Sequence, residues 1–146
     1  MTYSIVVGYD GSEMASKALD AAVEFAKMVP DGEIVIACAE ERSGPAVGIR
    51  GMEMGVEEYW EKLSQKIQTD LEAAAERVRK AGVKCATTCT PDRADETVIN
   101  VARDVSARMI VVGTKGAGAR PGQRQALGST TNRILHEAGG IPVLVV

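Results

Sequence analysis

Met109-Ile110-Val111-Val112-Gly113-Thr114-Lys115-Gly116-Ala117-Gly118-Ala119-Arg120-Pro121-Gly122-Gln123-Arg124-Gln125-Ala126-Leu127-Gly128-Ser129 is the stretch on which the reading of this chain turns. An apolar run, a glycine-rich segment, and then Leu127, Thr131, Ile134, Leu135 and Ala138 at helical spacing give the order strand, loop, helix. Gly113, Gly116, Gly118, Gly122 and Gly128 remove side chains and permit positive φ, so main-chain N–H groups can turn inward around a ligand. Ser129 falls at the start of the following helix, where unpaired N–H donors and the positive end of the helix dipole favour an anion. Lys115, Arg120 and Arg124 add positive charge to the same segment, and a phosphate suits such a loop. The same residues also fit a flexible surface connection with Ser129 as an ordinary helix cap, and the loop alone does not decide between the two.

The rest of the chain alternates strand and helix around this stretch. Ser4 to Tyr9 is a β-branched apolar run ended by Asp10-Gly11-Ser12, and Ser12 can cap a helix carrying Ala15, Ala18, Leu19, Ala22, Val23, Ala26 and Val29 at helical spacing. Pro30-Asp31-Gly32 stops that helix, and Ile34 to Ala39 reads as a second strand, nearly all apolar as in a sheet covered on both faces. From Glu41 to Gly55 four glycines, a proline and mixed charge predict a long loop, either a lid over a site or a plain connection. A helix follows from Glu57 to Ala81, with Trp60, Leu63, Ile67, Leu71, Ala74 and Val78 on one stripe, and Gly82 closes it. Val83 to Thr90 is a third strand, Val98, Val101, Ala102 and Val105 mark a further helix, and Pro142 to Val146 is a fifth strand after Gly139-Gly140. Such alternation predicts a single α/β domain over 1–146: a parallel sheet with right-handed crossovers, helices on both faces, and a ligand crevice beyond the carboxyl ends of the strands.

Composition narrows the function. The chain has 146 residues, 45% apolar and 25% charged, with a net charge of −3 and a pI near 5.3, which argues against non-specific nucleic-acid binding. No window approaches the roughly eighteen unbroken apolar residues of a membrane span, and neither a basic lead nor a cleavage site precedes the first strand pattern, so the expected setting is the cytoplasm. Cys38, Cys85 and Cys89 fall in strands and read as packing residues; four positions apart in one strand, Cys85 and Cys89 would stand roughly 13 Å from each other, too far for a disulfide.

Three motifs in order, Ile5-Val6-Val7-Gly8-Tyr9-Asp10-Gly11-Ser12-Glu13, Gly113-Thr114-Lys115-Gly116 with Gly128-Ser129, and Ile141-Pro142-Val143-Leu144-Val145-Val146, resemble the universal stress protein family over essentially the whole chain. The resemblance implies a five-stranded sheet of order 3-2-1-4-5, a Rossmann-like adenine-nucleotide-binding fold, and a homodimer. Members that hold ATP show Gly-x2-Gly-x9-Gly-Ser/Thr, whereas here eleven residues separate Gly116 from Gly128, so the loop is two residues longer; taking Gly118 as the second glycine restores nine but lengthens the first gap. Where the extra residues sit is open, and an insertion bearing Pro121 and two arginines could reach terminal phosphates or block them. By resemblance, Asp10 accepts hydrogen bonds from ribose hydroxyls, with Gly8 and Tyr9 beside it, and Cys38 falls where main-chain N–H and C=O read the adenine edge. Gly113, Thr114, Lys115, Gly116, Gly128, Ser129 and Thr130 fall where phosphates are held. On local chemistry alone Asp10 could equally cap the first helix.

The function expected is therefore a regulatory stress-response protein that binds ATP or AMP, Mg²⁺ arriving with the nucleotide. Two alternatives stay beside it: a nucleotide-free dimer acting through partners, and slow ATP hydrolysis by a water and a metal between Asp10 and the phosphates. There is no Gly-x4-Gly-Lys-Ser/Thr motif, and His136, the only histidine, lies far along the last helix pattern, so no catalytic residue is assigned. The apolar terminal strand, as a sheet edge, invites a two-fold partner.

Overall fold

The computed structural model describes residues 1–41, 55–115 and 127–146. The strands are β1 (Tyr3–Gly8), β2 (Gly32–Ala39), β3 (Lys84–Thr90), β4 (Met109–Val112) and β5 (Val143–Val145). The described helices are α1 (Glu13–Met28), α2 (Val56–Lys80), α3 (Ala94–Asp104) and α4 (Ser129–Glu137). All strand pairs are parallel and the sheet order is β3-β2-β1-β4-β5, as expected. Residues 42–54 of the predicted loop from Glu41 to Gly55, and 116–126 of the glycine-rich loop with Gly116, lie outside the described residues.

Period-two alternation sorts the strand side chains into two cores. Ile5, Val7, Ile34, Ile36 and Cys38 pack with Leu19 and Ala22 of α1 and with Leu71 and Val78 of α2. Val6, Val35, Ala37, Ile110 and Val112 face the other way, onto Val98 and Ala102 of α3 and Ile134 of α4. Because both faces are covered, β1 and β2 are apolar at consecutive positions.

Local chemistry sets the helix ends. Ser12 Oγ accepts a hydrogen bond from the Ala15 N–H at 3.1 Å and starts α1. Its end is compressed: a Cβ at Gly32 would lie 2.3 Å from the Ala26 carbonyl oxygen, so β2 can begin beneath the last turns of α1 only with glycine there. Helix α2 ends where Gly82 adopts φ +90° and the Val83 N–H returns to the Val78 carbonyl.

The apolar stripe of α2 is buried over only half its length: Leu71, Ala74, Ala75 and Val78 are buried. Trp60, Leu63 and Ile67 are half-buried. The 25 residues of α2 extend roughly 37 Å at 1.5 Å per residue, whereas the seven of β3 reach only about 23 Å, so the amino-terminal half overshoots the sheet. The last helix begins at Ser129, as expected, and Leu127 lies before it, 41% exposed.

Gly32→Ala is expected to destabilise the domain by about 1–3 kcal/mol, the usual cost of forcing an atom into a packed contact, read as a lower urea midpoint at unchanged slope.

Candidate functional site

In this strand order the chain leaves the middle of the sheet in opposite directions, β1 feeding toward β2 and β4 standing on its other flank, so a crevice opens beyond the ends of β1 and β4. A cavity of about 100 Å³ lies there. Gly8, Tyr9 and Asp10 reach it from β1, Ala37 and Ala39 from β2, Gly113 and Lys115 from β4, Ala94 and Val98 from α3, and Thr130, Thr131 and Ile134 from α4. Its floor is small and apolar, and its rim carries Asp10, Ser12, Lys115 and Thr130.

Close main-chain approach makes the crevice possible. A Cβ on Gly8 would lie 3.1 Å from side-chain methyls of Val98 and Val112. One on Gly113 would lie 2.9 Å from Met14 Cβ and 3.1 Å from the Met14 carbonyl, so glycine lets the exit of β4 pass against the first turn of α1. The Thr131 hydroxyl donates to the Gly113 carbonyl at 2.7 Å and ties α4 to that exit. The two ends of the glycine loop are joined as well: the Gly128 N–H donates to the Thr114 carbonyl at 2.8 Å, and the Thr114 N–H to the Val146 carbonyl at 2.9 Å.

Gly128 is the N-cap of α4, and its carbonyl accepts the Asn132 N–H at 2.9 Å. The N–H groups of Ser129, Thr130 and Thr131 belong to the first turn and have no partner within the helix, at the positive end of its dipole. Thr130 and Thr131 of that turn line the cavity and Lys115 stands on its rim, so this part of the crevice is electropositive. Asp10 sets the opposite sign on the β1 side. Its carboxylate accepts the Ser12 N–H at 2.9 Å, while the capping of α1 falls to Ser12. Burial raises the Tyr9 hydroxyl above its ordinary pKa against the pull of Arg77, with Asp70 and Asp10 adding to the rise, so Tyr9 meets the cavity uncharged at neutral pH.

Of the expected site residues, Gly8, Tyr9, Asp10, Gly113, Lys115 and Thr130 converge on the cavity. Thr114, Gly128 and Ser129 hold the ends of the loop and the start of α4 behind that lining. The structure does not bring Cys38 into the crevice. The Tyr9 N–H bonds to the Ala37 carbonyl and the Glu40 N–H to the Thr90 carbonyl; by alternation the polar groups of Ala39 face β1 and the crevice, while those of Cys38 face β3. The Cys38 thiol lies on the α1–α2 face, where burial first, then the Cys89 thiol and the carboxylates of Asp10 and Glu40, push its pKa up to about 12. Sequence reasoning missed Ala39, Ala94, Val98 and Thr131. Only Thr131, a hydroxyl inside an apolar helical stripe, carried a visible signal; His136 lies at the opposite end of α4 from Ser129.

The geometry defines a doubly wound α/β protein with a crevice at its topological switch point, bounded by a helix amino terminus and a carboxylate. The universal stress protein family model matches residues 1–146, and the chain belongs to that family. It is 26% identical over 150 residues to the universal stress protein YxiE of Bacillus subtilis, covering 100% of this chain and 99% of that protein. Among solved structures it is similar to hypothetical protein MJ0577 (TM-score 0.81, 23% identity, 100% of this chain and 96% of that one). It is also similar to a universal stress protein in complex with cAMP (TM-score 0.69, 24% identity, 99% and 95%) and to one from Archaeoglobus fulgidus in complex with dAMP (0.66, 18%, 99% and 97%).

Thr131→Val keeps the side-chain shape and deletes the bond to Gly113. A loss of about 0.5–1.5 kcal/mol is expected on urea unfolding, with most of it restored by Thr131→Ser.

Proposed function

We propose that this chain binds an adenine nucleotide, ATP or AMP, in the crevice beyond β1 and β4 and acts as a nucleotide-dependent regulator in the stress response. The observation that carries the reading is the convergence of Asp10, Gly113, Lys115 and the first turn of α4 on one cavity with an apolar floor. The nucleotide has matching parts. Its phosphates meet Lys115, Thr130 and the N–H groups at Ser129 and Thr130, with Gly113, Thr114, Gly116 and Gly128 supplying the loop. Its ribose hydroxyls meet Asp10 beside Gly8 and Tyr9, and its base lies toward β2, where Ala39 offers a main-chain donor and acceptor. Mg²⁺ enters with the phosphates, facing Asp10. The complexes of related folds with cAMP and dAMP support an adenylate as the ligand class. The setting proposed is the cytoplasm, where such nucleotides are abundant.

Chromatography of small molecules released from the heat-denatured protein, with calorimetric titration of ATP and AMP, tests the reading; no released adenylate and no heat of binding would overturn it. Asp10→Ala is expected to weaken AMP by about 1.5–3 kcal/mol, roughly 10- to 150-fold, while leaving inorganic phosphate unaffected.

A homodimer through β5 completes the proposal. This three-residue strand is the sheet edge beyond β4, and Leu144 on it is a large apolar side chain left 38% exposed. Val143 and Val145 pack into the domain's own core, so Leu144→Glu perturbs the edge without emptying that core. Light scattering is expected to give a dimer for the wild type and a monomer for Leu144→Glu; a wild-type monomer would remove this part of the proposal.

A further inference from the structure

Cys38 and Cys89 lie apart in sequence but are direct partners in the register of β2 with β3. In-register neighbours on parallel strands project to the same face, and here both thiols lie on the α1–α2 side, close enough that Cys89 helps to raise the Cys38 pKa. Cys38 is 6% exposed and Cys89 half-buried, so the pair opens outward through Cys89. The site stands back to back with the crevice, because Ala37 and Ala39, on either side of Cys38, line the cavity on the opposite face.

What the pair can hold follows from spacing and charge. Strands lie about 4.8 Å apart, and parallel side chains keep their Cβ atoms near that separation, whereas a relaxed disulfide needs Cβ atoms roughly 3.5–4.5 Å apart. A single atom bonded to both sulfurs spans a wider gap than a direct S–S bond. The surroundings also disfavour any product that adds negative charge: the thiols are largely out of water, with Asp10 and Glu40 nearby. A bis-thiolate of a monovalent cation would be anionic. A trivalent centre that takes two sulfurs and keeps one other substituent is neutral.

We propose that Cys38 and Cys89 form a dithiol binding site for trivalent, arsenic-type thiophiles between β2 and β3. With phenylarsine oxide as the probe, two As–S bonds form and the As–O bond breaks. Both thiol protons leave with that oxygen as one water, and the arsenic stays trivalent. Capture by two thiols exceeds capture by one by roughly 10²–10⁴-fold, through the effective concentration of the second sulfur. Cys85, paired with Ile34 in the same register, is the internal control.

The experiment treats the folded full-length chain with equimolar phenylarsine oxide, adds excess glutathione as a monothiol competitor, and reads the intact mass. One phenylarsenic group is expected to remain on the wild type and on Cys85→Ser and to leave on adding 2,3-dimercaptopropanol. Retention at least about 100-fold weaker is expected for Cys38→Ala and Cys89→Ala, two apolar replacements whose folding is checked by circular dichroism. Loss of the group from the wild type under glutathione, or equal retention by a folded Cys89→Ala, would overturn the assignment.

Discussion

The structure depends on a sheet buried on both faces. From Ser4 to Val7 every residue of β1 is buried, and consecutive side chains enter opposite cores, Ile5 and Val7 toward α1 and α2, Val6 toward α3 and α4. None of these four positions is left for a solvated side chain. Polar chemistry is therefore pushed to the strand ends, where the main chain leaves the ladder and its groups need partners. That is why Asp10, Gly113 and the start of α4 meet at one edge.

A second constraint acts at that edge. Gly113 clears Met14, and the Thr131 hydroxyl holds the Gly113 carbonyl. Gly128 and Val146 tie down Thr114 from either side. These contacts bring the first turn of α4 beside the exit of β4. Among the described residues, the place so formed offers the dipoles of a helix amino terminus and the Lys115 ammonium, an arrangement suited to phosphate.

Much of this was legible in the residues. The apolar runs, Ser12 as a cap, Gly82 as a stop and the alternation of elements read directly into the observed element order, while the strand order 3-2-1-4-5 came from the family resemblance. The family resemblance named Gly8, Tyr9, Asp10, Gly113, Lys115 and Thr130 as site residues, and the structure brings these six to one crevice. Cys38 was assigned to that crevice, yet its main-chain groups face β3, because a shift of one residue along a strand reverses the direction of its hydrogen-bonding groups. Ala94 and Val98 went unread because they are ordinary core-type residues that become lining only where α3 packs over the ends of β1 and β4.

The sequence by itself determined the order of elements, the two-sided burial of the sheet and the polar residues at the strand exits, since periodicity, capping and turn chemistry are local properties. Only the tertiary structure decided which exits face one another, that Gly113 is demanded by the approach of Met14, and that Cys38 meets Cys89. Those outcomes depend on register and on helix placement between segments far apart in the chain, and the packing that sets them exists only once the two cores have closed.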